Sequence, residues 1–301
     1  YVGYYPEGLE ALDRLVQLCT VSGNRELLLR AHLQYIYYGI QIWDPPVMQA
    51  HIQAGMELLA GRERSEEFGI YLRMEGLLQL MRSQYQLARA TLQRSIDTLR
   101  ALDPSDDGRY AINIAGAYNY IAESYRLEGN YDRAFLTYDQ AIIYNRSRGY
   151  YPGAAVFYTN YGVAAFQKGE TAAARQLFDF ALETYRAAHE YSGRPIALSY
   201  LALFEVQDGS YEQAAAYLRE AFQVSEQIGS PWWKGITLYQ CWRIRLLLSS
   251  RGGAPEVFRG LWPQSPRAHC LACLDCLRRL QPGVELREME QALSRLEREK
   301  R

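Results

Sequence analysis

Four neighbouring residues near the C-terminal end have side chains that bind metals. They are His269, Cys270, Cys273 and Cys276, in the stretch HCLACLDC. Zinc sites favour cysteines two residues apart, but in a turn and with a second pair elsewhere to complete four ligands. Here the stretch lies in a predicted helix, where Cys270 and Cys273 share one apolar stripe with Leu274 and Leu277, and cysteine packs readily as a small hydrophobe. We therefore predict packing and no bound metal, with metal or redox use as the alternative.

No group of residues in the sequence has the spacing of a catalytic site. The four histidines are His32, His51, His189 and His269, and they are scattered along the chain. There is no HExxH pair, no glycine-rich phosphate loop with a lysine, and no serine elbow. The sequence therefore predicts a protein that is not an enzyme and that needs no cofactor.

Composition and charge exclude further classes. The chain has 301 residues, 49% of them hydrophobic, and a net charge of −1, so no overall field favours nucleic acid or an acidic membrane. Its longest apolar runs are far shorter than the roughly 20 residues of a spanning helix. Five cysteines, an odd number, fit reduced thiols in a cytoplasmic protein. Because the chain begins with Tyr1, we expect it to be part of a longer protein.

One pattern of residues recurs in three units of the middle of the chain, at a spacing of forty residues. Gly129, Tyr131, Ala134, Tyr138 and Ala141 are followed by Gly169, Thr171, Ala174, Phe178 and Ala181, and then by Gly209, Tyr211, Ala214, Leu218 and Ala221. Seven residues before each glycine stands a small residue: Ala122, Gly162 and Ala202. A constant period over three units is typical of a solenoid.

The repeated positions have a physical interpretation as two helices joined by a tight turn. The small residues before and after each glycine allow the two helices to cross at close range. In the first two units, the aromatic residue four positions after the second small residue, Tyr138 or Phe178, lies on the same face and fills the space beside the crossing. The glycine itself suits the left-handed end of the first helix.

These residues resemble the tetratricopeptide repeat, although the units here have about 40 residues rather than about 34. In length they are similar to repeats in the regulatory regions of large bacterial transcriptional activators and in bacterial peptide-pheromone receptors. The resemblance implies an all-α, right-handed superhelix of about six helix pairs. We expect the array to occupy residues 1–262, and residues 263–301 to form two non-repeat capping helices, near 265–280 and 284–299.

In a tetratricopeptide array the first helix of each pair lines the concave face, which predicts a binding site. Its exposed positions lie ten, six and three residues before the turn glycine. The candidates at these offsets are Arg73, Asn119, Glu123, Arg126, Thr159, Phe166, Tyr239 and Arg243. Asparagine suits a peptide backbone or a sugar hydroxyl pair, arginine suits a carboxylate, and Glu123 can simply hold Arg126 in place. We expect alanine at Asn119 and Arg126 to weaken binding at least tenfold while leaving the melting temperature nearly unchanged.

Eleven of the 25 tyrosines form two groups that bear on the fold and the site. Six of them occupy the packing positions of the repeat. Five have no such explanation: Tyr35, Tyr37, Tyr120, Tyr151 and Tyr239.

Two classes of function remain after these exclusions. The first is a sensor or interaction module of a larger cytoplasmic bacterial regulator, of transcription in our interpretation. It would bind a peptide, a small molecule such as a sugar, or a protein on the concave face. The second is a static assembly scaffold without a small ligand, which docks its partner through the convex side or the ends. Neither predicts contact with nucleic acid or a membrane.

Overall fold

The computed structural model describes residues 5–42, 44–105, 107–147, 153–263, 265–278 and 284–298, so the predictions for Tyr151 and for the ends of the last two helices lie outside it. The described residues form fourteen α-helices and one short 3-10 helix, with no strand among them. The all-α prediction is confirmed. The helices are α1 (Tyr5–Ser22), α2 (Arg25–Ile42), α3 (Pro45–Leu58), α4 (Glu66–Met81), α5 (Tyr85–Leu102), α6 (Ala111–Leu127), α7 (Tyr131–Ser147), α8 (Ala154–Lys168), α9 (Thr171–Ala187), α10 (Arg194–Asp208), α11 (Tyr211–Ile228), α12 (Pro231–Ser250), α13 (Pro266–Leu277) and α14 (Val284–Arg298), with the 3-10 helix at Glu256–Phe258.

Two compact units divide the chain between Glu170 and Thr171. In the first unit, α2 pairs with α3, α4 with α5 and α6 with α7, while α1 packs on α2. The first helices α2, α4, α6 and α8 also contact one another in succession. This pattern of contacts is that of stacked helix pairs.

The second unit repeats the same pattern of contacts. Here α10 pairs with α11 and α12 with α13, and α10, α12 and α14 contact one another in succession. The 3-10 helix is the only helical turn described between α12 and α13. The helix at 266–277, expected to form part of the cap, packs along α12. The limit between array and cap at residues 262 and 263 stays a prediction.

Small residues make the close helix crossings that the repeat requires. Ala122 and Ala134 are both fully buried where α6 and α7 cross. At Gly76 in α4, a Cβ atom would lie 2.5 Å from Leu92 Cγ in α5, so a larger residue there would force Leu92 to move. Both observations support the sequence-based interpretation of the crossing.

The turn glycines adopt the left-handed backbone conformation that was expected of them. The φ angles of Gly129, Gly169 and Gly209 are +79°, +92° and +82°. The preceding unit has Ser83 at this position, with a φ angle of +59°. Since only glycine adopts this region without strain, the recurrence of glycine at these turns follows from the need to end each first helix.

A helix that spans a lipid bilayer needs about 20 predominantly apolar residues. None of the described helices is long and apolar enough to cross a membrane.

Candidate functional site

In the first unit, polar and aromatic side chains of successive first helices form direct contacts with one another. We call this set the polar band. Its members are Tyr37 on α2, Arg73 on α4, Asn119, Tyr120, Glu123 and Arg126 on α6, and Asn160 and Gln167 on α8. Four of the eight predicted site residues belong to it.

Two hydrogen bonds of the polar band join α6 to α8. The Asn160 amide donates from Nδ2 to Asn119 Oδ1 over 3.1 Å. Arg126 donates from Nη1 to Gln167 Oε1 over 3.0 Å. The positions predicted to face a ligand therefore also hold neighbouring first helices together.

Arg126 is oriented by a carboxylate on its own helix. Its Nε and Nη2 each donate to Glu123 over 2.8 Å, and both side chains are largely buried. Tyr138, on α7, donates its hydroxyl proton to the same carboxylate. Burial, and next the Glu123 charge, holds the pKa of Tyr138 well above its ordinary value. Because Glu123 occupies two donors of Arg126, it fixes the direction in which Nη1 reaches Gln167, as expected from the sequence.

The expectation that Asn119 and Arg126 lie outside the packed parts of the fold is wrong. Asn119 is only 2% exposed, and the Arg126 side chain is 14% exposed. The reason is that successive first helices pack directly on each other, so these offsets point partly at the next helix rather than at solvent alone. Alanine at either position should therefore also lower the stability of the fold.

Two further candidates, Thr159 and Phe166, lie on α8. Thr159 is 1% exposed, and its hydroxyl donates to the Ala155 carbonyl one turn earlier, over 2.8 Å. Phe166 is half-buried. Thr159 thus directs its donor to its own helix, whereas Phe166 retains a partly accessible apolar surface.

The remaining two candidates lie in the second unit, on α12. Tyr239 is 8% exposed and donates to Glu288 Oε2 of α14 over 2.7 Å. Arg243 donates from Nη1 to Gln240 Oε1 over 3.0 Å and places its guanidinium carbon 5.6 Å from the centre of the Tyr200 ring. The structure therefore brings this pair into contact with α14 and α10, and Tyr239 is covered by the last described helix.

The cysteines near the C-terminal end lie in an apolar environment. Cys270 and Cys273 are fully buried in a cluster with Ile236 and Trp242 of α12. Cys273 directs its sulfur towards the Gly235 carbonyl, at 3.5 Å. Burial raises the pKa of Cys270 to about 11, so its thiol is protonated at neutral pH. These contacts are those of packing residues; a metal role stays untested.

Two of the histidines that are scattered in the sequence meet in the fold. His32 on α2 and His51 on α3 approach to 2.8 Å between their Nδ1 atoms. The Tyr35 ring stacks on His51 with 4.0 Å between the ring centres, which gives this tyrosine a structural role. Burial, followed by the charge of His32, lowers the pKa of His51 to about 4, so His51 is neutral at neutral pH.

Four members of the polar band were not among the predicted site residues. They are Tyr37, Tyr120, Asn160 and Gln167. A signal for the two tyrosines existed, because neither fits a packing position of the repeat. Asn160 and Gln167 each lie one residue after a position that was chosen, and the offsets alone could not distinguish the two sides of the helix.

Three solved structures share this fold at low sequence identity. A Rap protein complexed with competence and sporulation factor has a TM-score of 0.62 and 12% identity, over 91% of this chain and 75% of that chain. The apo form of the quorum sensor NprR from B. thuringiensis has a TM-score of 0.52 and 17% identity, over 94% of this chain and 78% of that chain. The third structure is a signal transduction ATPase with numerous domains and a tetratricopeptide repeat sensor, from Pyrococcus horikoshii. It has a TM-score of 0.52 and 10% identity, over 76% of this chain and 34% of that chain.

These similarities extend to the fold and support its tetratricopeptide type. The sequence itself matches no protein-family model and no curated protein.

Proposed function

We propose that this chain is a non-catalytic ligand- or protein-binding module of a larger cytoplasmic bacterial regulator. In this proposal the regulator controls transcription, and the polar band binds the ligand. Within this proposal the array occupies residues 1–262 and residues 263–301 cap it. A peptide is the ligand class that the side chains suit best. A sugar is the second class, and no nucleic acid or membrane contact is proposed.

The observation that carries the proposal is the chemistry of the polar band. Amide, guanidinium and hydroxyl groups of four successive first helices are aligned by contacts among themselves, such as those between Asn119 and Asn160 and between Arg126 and Gln167. Groups held in this way lose little conformational entropy when a ligand binds. Amide groups offer both donors and acceptors, which suits the backbone of an extended peptide.

The solved structures that share the fold add support of a weaker kind. One is a Rap protein complexed with competence and sporulation factor, and another is a quorum sensor. A third belongs to a signal transduction ATPase in which the repeats form a sensor. NprR is a quorum sensor, and the repeats of the third protein form a sensor, which favours a sensor module over an enzyme for this chain.

One observation favours the alternative of an assembly scaffold. On α7, Leu136 and Ile143 are 67% and 66% exposed, and they lie seven residues apart on one face. Exposed apolar side chains at this spacing suit a partner helix. They lie outside the polar band, so the two functions depend on different residues and can be tested separately.

The test is a selection of peptides from a display library on the immobilised 301-residue chain. Selected peptides are then titrated against the wild type and against the double variant Asn119→Ala/Arg126→Ala. A matched control, Arg133→Ala/Gln140→Ala, changes two exposed side chains of α7. Because the first variant also removes helix contacts, circular dichroism at the titration temperature must show that it is folded.

We expect at least a tenfold loss of affinity in the band variant, about 1.4 kcal/mol, and no loss in the control. Peptides that bind both variants as tightly as the wild type would refute the proposal. If replacing Leu136 and Ile143 with serine abolished peptide binding instead, the scaffold alternative would be favoured.

A further inference from the structure

Arg73 carries a buried positive charge without a counter-ion. The residue is 7% exposed, and no carboxylate of the described residues lies within ion-pair distance of its guanidinium. Other partly buried arginines of the first unit differ in this respect: Arg89 pairs with Glu128 and Arg126 with Glu123. Since a buried unpaired charge is strongly unfavourable, such a group usually has a partner that completes it.

The groups around Arg73 are donors as well. Arg73 donates from Nη2 to the Tyr37 hydroxyl over 3.2 Å, and its Nε is buried without a partner. Because the Tyr37 oxygen accepts this bond, its own proton remains available to a further acceptor. Several donors and no anionic acceptor therefore converge at one place.

Tyr120 adds a third donor. Burial raises the pKa of Tyr120; the charge of Arg73 lowers this pKa, and the neighbouring Tyr37 raises it further. Both Arg73 and Tyr37 therefore lie within electrostatic reach of Tyr120. Its hydroxyl makes no hydrogen bond within the described part of the chain. Tyr37 is 37% exposed, which leaves this group of side chains open to solvent on one side.

The backbone of α6 is adapted to the guanidinium. At Gly116, a Cβ atom would lie 3.0 Å from Arg73 Nη1, closer than nearly all real contacts of this kind. The absence of a side chain at Gly116 thus lets the guanidinium lie against α6, next to Tyr120. Three successive first helices, α2, α4 and α6, contribute to the site.

We propose that Arg73, Tyr37 and Tyr120 bind a carboxylate group of the ligand. The charge favours a carboxylate, because one carboxylate balances one guanidinium, whereas a phosphate monoester carries −1.5 to −2 charges at neutral pH and would leave excess negative charge. Arginine and hydroxyl donors are common partners of carboxylates. The inference rests on the proposed function and specifies the chemistry of its ligand. The carboxylate has two sources, a small organic acid and the C-terminus of a peptide.

The test uses carboxylate probes and the 301-residue chain. Carboxyl-labelled ¹³C-acetate is titrated against the protein, and binding is followed by the NMR line width of the acetate signal. Sodium chloride keeps the ionic strength constant, and inorganic phosphate is the comparison anion. Hexa-alanine with a free or an amidated C-terminus distinguishes a peptide terminus from a small acid. The variants are Arg73→Met and Tyr120→Phe, and Arg82→Met is the control, since it makes the same change at an exposed position just after α4.

We expect acetate to bind the wild type and Arg82→Met, to bind Tyr120→Phe at least fivefold more weakly, and not to bind Arg73→Met. Without any anion, Arg73→Met should melt at a higher temperature than the wild type, because it lacks the unpaired charge. If hexa-alanine with a free C-terminus binds more tightly than the amidated form, the carboxylate belongs to a peptide terminus. If acetate binds and neither form of hexa-alanine does, the carboxylate belongs to a small acid.

The inference is overturned if acetate binds none of these proteins, if it binds Arg73→Met as well as the wild type, or if phosphate binds more tightly than acetate. Its failure is distinct from that of the proposed function. Selected peptides that depend on Asn119 and Arg126, together with no Arg73-dependent binding of acetate, would refute only the carboxylate site.

Discussion

His269 should make the second unit sensitive to mild acid. The residue is fully buried, with Trp242 edge-on to its ring at 5.6 Å between the ring centres. Its Nε2 lies 2.9 Å from the Leu238 carbonyl, which can only accept, so Nε2 carries the proton. Nδ1 is buried without a partner, so a second proton would have no acceptor. Burial accordingly lowers the pKa of His269 to about 4, although the Leu238 carbonyl opposes the effect.

The sign and size of the effect follow from this pKa. In the unfolded chain a histidine has a pKa near 6.5, so below that pH the unfolded state binds more protons than the folded state. Stability is therefore lost as the pH falls from about 6.5 to about 4. The full difference of about 2.5 pKa units corresponds to about 3.4 kcal/mol, and about 2 kcal/mol of it should be lost between pH 7 and pH 5.

The assay is urea unfolding at pH 7, 6 and 5, followed by tryptophan fluorescence. Four of the five tryptophans lie in the second unit, so the signal reports mainly on it: Trp232, Trp233, Trp242 and Trp262. In His269→Gln the amide can still donate to the Leu238 carbonyl but does not titrate. The control is His189→Asn, an exposed position whose φ angle of +53° asparagine tolerates.

We expect the wild type and His189→Asn to lose about 2 kcal/mol more than His269→Gln on going from pH 7 to pH 5. If the wild type and His269→Gln lost stability in parallel, the unpartnered Nδ1 would not be the cause and the argument from burial would be wrong.

Three further predictions concern the repeat and the metal question. Gly76→Ala should destabilise the first unit by about 1–3 kcal/mol in thermal unfolding, because its Cβ would overlap Leu92. Gly129→Ala has open space around its Cβ and should lose about 1–2 kcal/mol from its left-handed backbone alone. An unchanged stability of Gly76→Ala would contradict the packing argument. Tyr138→Phe should cost about 1.5–3 kcal/mol in urea unfolding, since it removes a buried donor to Glu123, and an unchanged midpoint would show that this bond contributes nothing. Elemental analysis of a tag-free preparation should find no stoichiometric zinc, and a chelator should leave the circular dichroism unchanged; zinc in the preparation would restore the metal interpretation of the cysteines on α13.

The sequence by itself determined the helix pairs and their turns. Gly129, Gly169 and Gly209 could be identified because only glycine adopts the left-handed backbone without strain, and a solenoid repeats that requirement at every turn. Small residues at fixed offsets, such as Ala122 and Ala134, had to be small because two backbones cross there. These constraints act within one unit of about forty residues, so they leave a periodic trace in the chain.

Only the tertiary structure decided which side of each first helix meets its neighbour. Asn119 and Asn160 are 41 residues apart in sequence and form their hydrogen bond because α6 and α8 lie side by side. Likewise, the lack of a counter-ion at Arg73, and its approach to Tyr37, depend on contacts between different units of the repeat. A helical period identifies a face about 100° wide, which is too coarse to separate a side chain that faces a ligand from one that faces the next helix. The candidate face could therefore be located from the sequence, whereas the partners within it required the packed fold.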